Sequence, residues 1–152
     1  PERLELEVDE AAFEAPVVAI EDGLSPLRML GVRLVIDNFG CAPVTPLRLR
    51  SLGFDGVKVA VPLVELIASE DERDIGIVRA LRDLAQACKL EVRADGVEAQ
   101  DQLAVLKSLD IPLVQGGVFS GLLPFAEVVD AMASGAWYLL GVAMLTTSRC
   151  SC

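Results

Sequence analysis

The 152-residue chain carries 13 lysines and arginines against 23 aspartates and glutamates, a formal charge of −10, and 53% of its residues are hydrophobic. Such a composition suits one domain with a packed core, excludes whole-chain disorder and argues against a nucleic-acid partner, whose phosphates it would repel. The absence of histidine removes Ser-His and Cys-His catalysis, imidazole-bound zinc and imidazole pH switching together, which leaves acid–base or metal chemistry to Asp, Glu, Lys and Cys.

Along the chain, short β-branched runs alternate with helical patterns. Arg3–Asp9 (RLELEVD) reads as a first strand, and Pro26 as the start of a short helix ending at Gly31. Arg33–Asn38 (RLVIDN) and Gly56–Val61 (GVKVAV) read as the second and third strands, joined through Gly40–Leu49, a loop stiffened by Pro43 and Pro46. Glu70–Asp74 (EDERD) reads as a solvated helix start. From Asp74 to Lys89, Ile77, Leu81, Leu84 and Cys88 recur at helical spacing and predict one apolar stripe. Glu91–Gly96 (EVRADG) is the fourth strand, Gln100–Leu109 a helix, Val114–Phe119 (VQGGVF) the fifth strand, and Pro124 opens a helix through Met132.

The expected division is a domain over 1–133 and an apolar tail over 134–152. The tail holds the only Trp and the only Tyr, within Ala136–Leu145 (AWYLLGVAML). Three readings of that run stay open: a cover for a sheet edge, a contact between two copies, or sequence past the domain's natural end. It has about half the roughly 20 residues a membrane helix needs. Cys41, Cys88, Cys150 and Cys152 form no C-x-x-C pair, and with no recognisable signal peptide they read as free thiols of a cytoplasmic protein.

The fold class this rhythm predicts is α/β with about five parallel strands and flanking helices, a partial TIM-like (β/α) barrel. Polar residues gather where the strands end: Glu10, Asp37 with Asn38, Lys58, Asp95 with Glu98, and Gln115. In a βα barrel those ends open on one face, where chemistry sits.

At the same residues the sequence resembles the bacterial EAL domain family of cyclic di-GMP phosphodiesterases. Leu4–Ala11 (LELEVDEA) is similar to L-E-L-E-[IL]-T-E-S, Ile36–Gly40 (IDNFG) to [IL]-D-D-F-G, and Asp55–Ala60 (DGVKVA) to D-x-[LI]-K-I-D. Leu90–Ala99 (LEVRADGVEA) is similar to L-[EK]-V-[VI]-A-E-G-V-E-T, and Val114–Ser120 (VQGGVFS) to V-Q-G-[YF]-x-[FY]-[SA]. By position the resemblance implies Glu10 and Asp37 as ligands of Mg²⁺ or Mn²⁺, with Asn38 in the place of a further metal-binding aspartate. It implies Lys58 as the lysine orienting water and phosphate, and Asp95 in the place of the general base. Glu98 matches the glutamate that steadies the loop after D-D-F-G, and Gln115 the glutamine at the rim. Hard cations held by carboxylates, with a lysine offsetting developing charge, suit phosphodiester hydrolysis.

The departures from that pattern set the functional expectation. The E-A-L segment and the following strand with its asparagine ligand have no counterpart, which amounts to about three of the eight strands of such a barrel. Asn38 offers a neutral oxygen where cation–cation repulsion asks for an anion. Asp95 is one methylene shorter than glutamate, Ala60 replaces an aspartate, and the loop after Gly40 loses its glycine and serines for prolines. The expectation is therefore a truncated, catalytically inactive EAL-like domain, a regulatory or interaction module or remnant with vestigial metal ligands and Mg²⁺ or Mn²⁺ absent. Lys58 is expected to pair with Asp37 or Asp95. An open five-stranded array exposes edges and so favours self-association, through the barrel edge or the tail. The alternative is a metal-dependent phosphodiesterase completed by a missing N-terminal segment or by intermolecular assembly.

Overall fold

Residues 4–69, 71–119, 124–134 and 142–144 are described by the computed structural model. Its strands are β1 (Glu5–Asp9), β2 (Arg33–Phe39), β3 (Gly56–Val59), β4 (Glu91–Ala94), β5 (Leu113–Gln115) and β6 (Val142–Met144). They form one sheet in chain order, parallel from β1 to β5, with β6 antiparallel to β5. The helices are α1 (Val17–Met29), α2 (Pro46–Ser51), α3 (Val61–Leu66), α4 (Glu72–Ala87), α5 (Gln100–Ser108) and α6 (Phe125–Ser134). Parallel neighbours need a crossover, and α1 to α5 lie in the segments that supply it.

The two-residue period of the strands sorts their side chains into two faces. Leu34, Ile36, Val57, Val59, Val92, Ala94 and Val114 face the helices and are buried with Val64, Ile67, Val78, Ala85, Leu106 and Leu109 in one core. Burying a side chain such as Leu34 or Ile36 contributes about 1.5–3 kcal/mol. The opposite face carries Glu5, Glu7, Lys58, Arg93 and Gln115 along a cavity of about 350 Å³.

Ion pairs across that face report its curvature. Arg93 on β4 bonds both carboxylate oxygens of Glu5 on β1 and also Glu91, while Arg33 on β2 reaches Glu91 at 3.4 Å and Glu5 at 3.8 Å. In a flat sheet β1 and β4 would stand about 14 Å apart, three spacings of about 4.8 Å, a span that Glu and Arg would bridge only fully extended and laid flat, whereas strand side chains stand out from the sheet. The sheet is therefore bent into an arc, as in a barrel wall. Gly56 lies in register between Val35 of β2 and Glu91 of β4. A Cβ there would come within 2.9 Å of the Glu91 carbonyl oxygen, so the close strand approach requires glycine.

Several expected elements are corrected. Pro26 does not start a helix; it lies inside α1, which runs from Val17 to Met29. Val17, Ile20, Leu24 and Leu27 pack that helix against the core, and the carbonyl that loses its donor, Asp22, lies with Pro26 on the exposed side, open to solvent. The α4 stripe is centred on buried Val78 and Ala85, while Ile77 is 47% exposed. β3 stops at Val59 because Pro62 enters the first turn of α3. β5 ends at Gln115, before Gly116 and Gly117. The proline-rich loop contains α2, with Thr45 accepting the Arg48 N–H as its N-cap and Pro46 in the first turn. In the tail, β6 lies on the free edge of β5; Trp137 and Tyr138 lie outside the described residues, as do Cys150 and Cys152. Cys41 and Cys88 are free thiols.

Candidate functional site

The polar residues converge at the carboxyl ends of β1 to β5. Lys58 is at the centre, in β3, and is 6% exposed. Its Nζ lies 3.0 Å from Glu7, 3.0 Å from Asp95 and 3.9 Å from Asp37. Burial by itself lowers an ammonium pKa, but the hydrogen bonds and charges of Asp95 and Glu7 outweigh it and hold Lys58 above its ordinary value. Asp95 is placed by a tight turn: its Oδ1 accepts the Gly96 N–H at 2.8 Å, and Gly96 has φ +72°. A Cβ on Gly96 would also approach Val61 to 2.7 Å, so this turn admits only glycine without rearrangement.

Glu10 stands elsewhere, in a 3₁₀ turn just past β1. It is 2% exposed, and one carboxylate oxygen accepts the N–H groups of Gly40 at 3.0 Å and Ala42 at 2.7 Å. These bonds tie it to the loop after β2, where the Cys41 N–H also turns back onto the Asn38 carbonyl. The carboxylate that reaches Lys58 from β1 is Glu7 instead. The resemblance assigned loop bracing to Glu98, but Glu98 faces the loop after β5, where a Cβ on Gly117 would meet its Oε2 at 2.5 Å. The sequence signal for Glu7 was available: Glu5, Glu7 and Asp9 share one face of β1, whereas Glu10 follows the strand.

Asn38 has left-handed backbone, φ +56°, and its Nδ2 donates to Asp9 at 2.8 Å. Asp9 also accepts the Ala11 N–H at 2.8 Å; this bond first, and the Asn38 bond second, hold its carboxyl below the ordinary range. Gln115 ends β5 on the cavity wall, and its carbonyl accepts the Val97 N–H.

Gln102 is a further positioning residue that the sequence reading passed over. Buried in α5, it accepts the Glu98 and Ala99 N–H groups at 2.8 and 3.0 Å and donates to the Val64 carbonyl at 3.1 Å. It thereby ties the loop that follows Asp95 to α3. Glutamine at the third position of a helix is a known capping signal, and A-Q-D-Q carried half of it.

The donor set does not fit a divalent cation as arranged. Among the described residues, no three Asp, Glu, Cys or His side chains converge on a position that could hold a metal ion. The Lys58 ammonium stands between the carboxylates that would have to do so.

Comparison with known proteins agrees with this fold. The EAL domain family model matches residues 1–121. The cyclic di-GMP phosphodiesterase NbdA of Pseudomonas aeruginosa is 41% identical over 127 residues, which are 84% of this chain and 16% of NbdA. The EAL domain of Mycobacterium smegmatis DcpA superposes with a TM-score of 0.78 at 28% identity, covering 86% of this chain and 58% of that one. Klebsiella pneumoniae BlrP1, solved as a manganese and cyclic di-GMP complex, gives 0.72 at 29%, covering 80% and 31%. The chain thus spans a small part of the curated relatives it matches. No helix among the described residues is long and apolar enough to cross a membrane.

Proposed function

Because this chain belongs to the EAL domain family, whose relatives include cyclic di-GMP phosphodiesterases, we propose that it is by itself a catalytically inactive member, serving as a regulatory or interaction module, or remnant, of cyclic di-GMP signalling in the bacterial cytoplasm. One observation carries this reading: the rim carboxylates are held by protein donors, Glu7 and Asp95 by Lys58, with Asp37 3.9 Å from the same ammonium, and Asp9 by Asn38. Two-cation hydrolysis of a phosphodiester needs anionic oxygens turned toward the cations, with a water between them. Asn38 brings no charge, Ala60 brings no donor, and Asp95 is drawn onto Lys58. Lys58, Asp95, Asp37 and Gln115 then act as a structural rim. The test is incubation of the purified chain with cyclic di-GMP and Mn²⁺ or Mg²⁺. The expected result is no linear dinucleotide; turnover lost on Glu7→Gln overturns the reading.

Partner binding in this reading, including contact between two copies, uses an edge of the sheet or the tail. A second reading is favoured by the 58% coverage of the DcpA domain: a metal-dependent phosphodiesterase whose wall is completed by further strands, from an N-terminal segment or another molecule. In it Glu7 and Asp37 would hold Mg²⁺ or Mn²⁺, which supplies an activated water. Turnover that appears only when further strands are supplied supports this second reading.

A further inference from the structure

Burial runs in an unusual direction at the rim. The lysine side chain is 7% exposed, while its partners Glu7, Asp37 and Asp95 are 42%, 31% and 28% exposed. The cation is the inner member, and the carboxylates lie between it and solvent. Both oxygens of Glu7 are placed 3.0 Å from Nζ, and Oδ2 of Asp95 the same. A buried ammonium has three protons to place, and two strong acceptors with a third carboxylate nearby use them. Without Lys58, the carboxylates of Glu7 and Asp95, with Asp37 nearby, would face one another across the vacated ammonium and repel; as placed they do not converge on one cation position, so holding a cation requires them to turn inward.

We propose that Lys58 is the resident cation of this cluster. It holds the three rim carboxylates together without a divalent metal, so Mg²⁺ or Mn²⁺ competes with the ammonium instead of completing the site. A hard divalent ion needs several of these oxygens at about 2.0–2.6 Å. It takes them only by turning Glu7 and Asp95 away from Lys58, which leaves a buried ammonium unpaired beside a second cation. Removing the ammonium while keeping the stem therefore converts the cluster from one that resists divalent ions to one that recruits them. The inference deepens the proposed lack of turnover and rests on it only in taking the rim as closed by protein groups. Its test reads binding and not hydrolysis, so either can fail alone.

The experiment titrates the full chain with MnCl₂, following free Mn²⁺ by electron paramagnetic resonance, and pairs this with thermal melts in EDTA and in MnCl₂. The probe is Mn²⁺ alone. The wild type is expected to bind only at millimolar concentrations, with the same melting temperature in both buffers. Lys58→Met is expected to melt lower in EDTA, to regain stability with Mn²⁺ and to bind it at least tenfold more tightly. Lys58→Arg, which keeps the charge and fills the site, is expected to behave as the wild type. Micromolar binding by the wild type overturns the proposal without recourse to any variant. So does a tenfold gain in Lys58→Arg, or a folded Lys58→Met that binds no more tightly than the wild type. Should Lys58→Met fold only when Mn²⁺ is present, the proposal stands.

Discussion

Glu10 offers the sharpest test of the site's architecture, because two roles for it predict different outcomes. If it braces the loop after β2, Glu10→Ala leaves the Gly40 and Ala42 amides without their acceptor. A hydrogen bond to a charged group is worth about 1.5–3 kcal/mol net. The loop is partly open to water, which replaces some of that, so the two bonds together amount to about 2–4 kcal/mol. For a chain of this size each kcal/mol moves the melting temperature by about 2–4 °C, giving a fall of roughly 4–16 °C. Glu10→Gln keeps one acceptor oxygen and should fall about half as far. Urea unfolding followed by circular dichroism measures the loss, and hydrogen exchange at Gly40 and Ala42 locates it. An unfolding midpoint equal to the wild type, with both amides still protected, would refute the bracing role; a lowered Mn²⁺ affinity with no loss of stability would point back to a cation ligand.

Three other outcomes follow from the same geometry. Gln102→Leu conserves volume but strands two N–H groups and the Val64 carbonyl, and should cost about 2–4 kcal/mol in urea unfolding, with exchange rising at Glu98 and Ala99. Asn38→Asp does not restore a metal site: it sets two carboxylates against each other, so the Asp9 carboxyl, now held low, should titrate higher by NMR, and the variant should be less stable at pH 7 than at pH 4 relative to wild type. The folded-state pKa of Lys58 is raised above 10.5, so its stabilisation is full below the unfolded value and is lost as pH climbs through the folded one. The stability gap between wild type and Lys58→Met should then be constant between about pH 6 and 9 and shrink in stronger alkali.

The strand anchors were legible because each combines a β-branched run with polar residues at its end, and that pattern survives any reading of the helices. The helices were less so. Pro26 looked like a start because proline favours first turns, yet packing by Ile20, Leu24 and Leu27 carries α1 past it. α2 was hidden in a loop that two prolines seemed to forbid, although Thr45-Pro46 is itself a cap and first turn. At the site, motif position put Glu10 among the cation ligands, while strand alternation alone would have put Glu7 on the face of Lys58. Gln102 offered half of a capping signal, but the Glu5–Arg93 network had no single-residue signal, since it depends on which strands meet. No period in the sequence reports that a carboxylate on β1 will find a guanidinium on β4.

That network ties the arc's shape to the solution around it. The hollow side of the sheet is drawn in by opposite charges spanning β1, β2 and β4 across the gap at Gly56, and Arg33 on that span is 42% exposed. Molar salt shortens the range of such attraction to about 3 Å, and the outermost pairs yield first. Ionic strength is thus a handle on how widely this trough gapes, and dilute buffer grips it tightest.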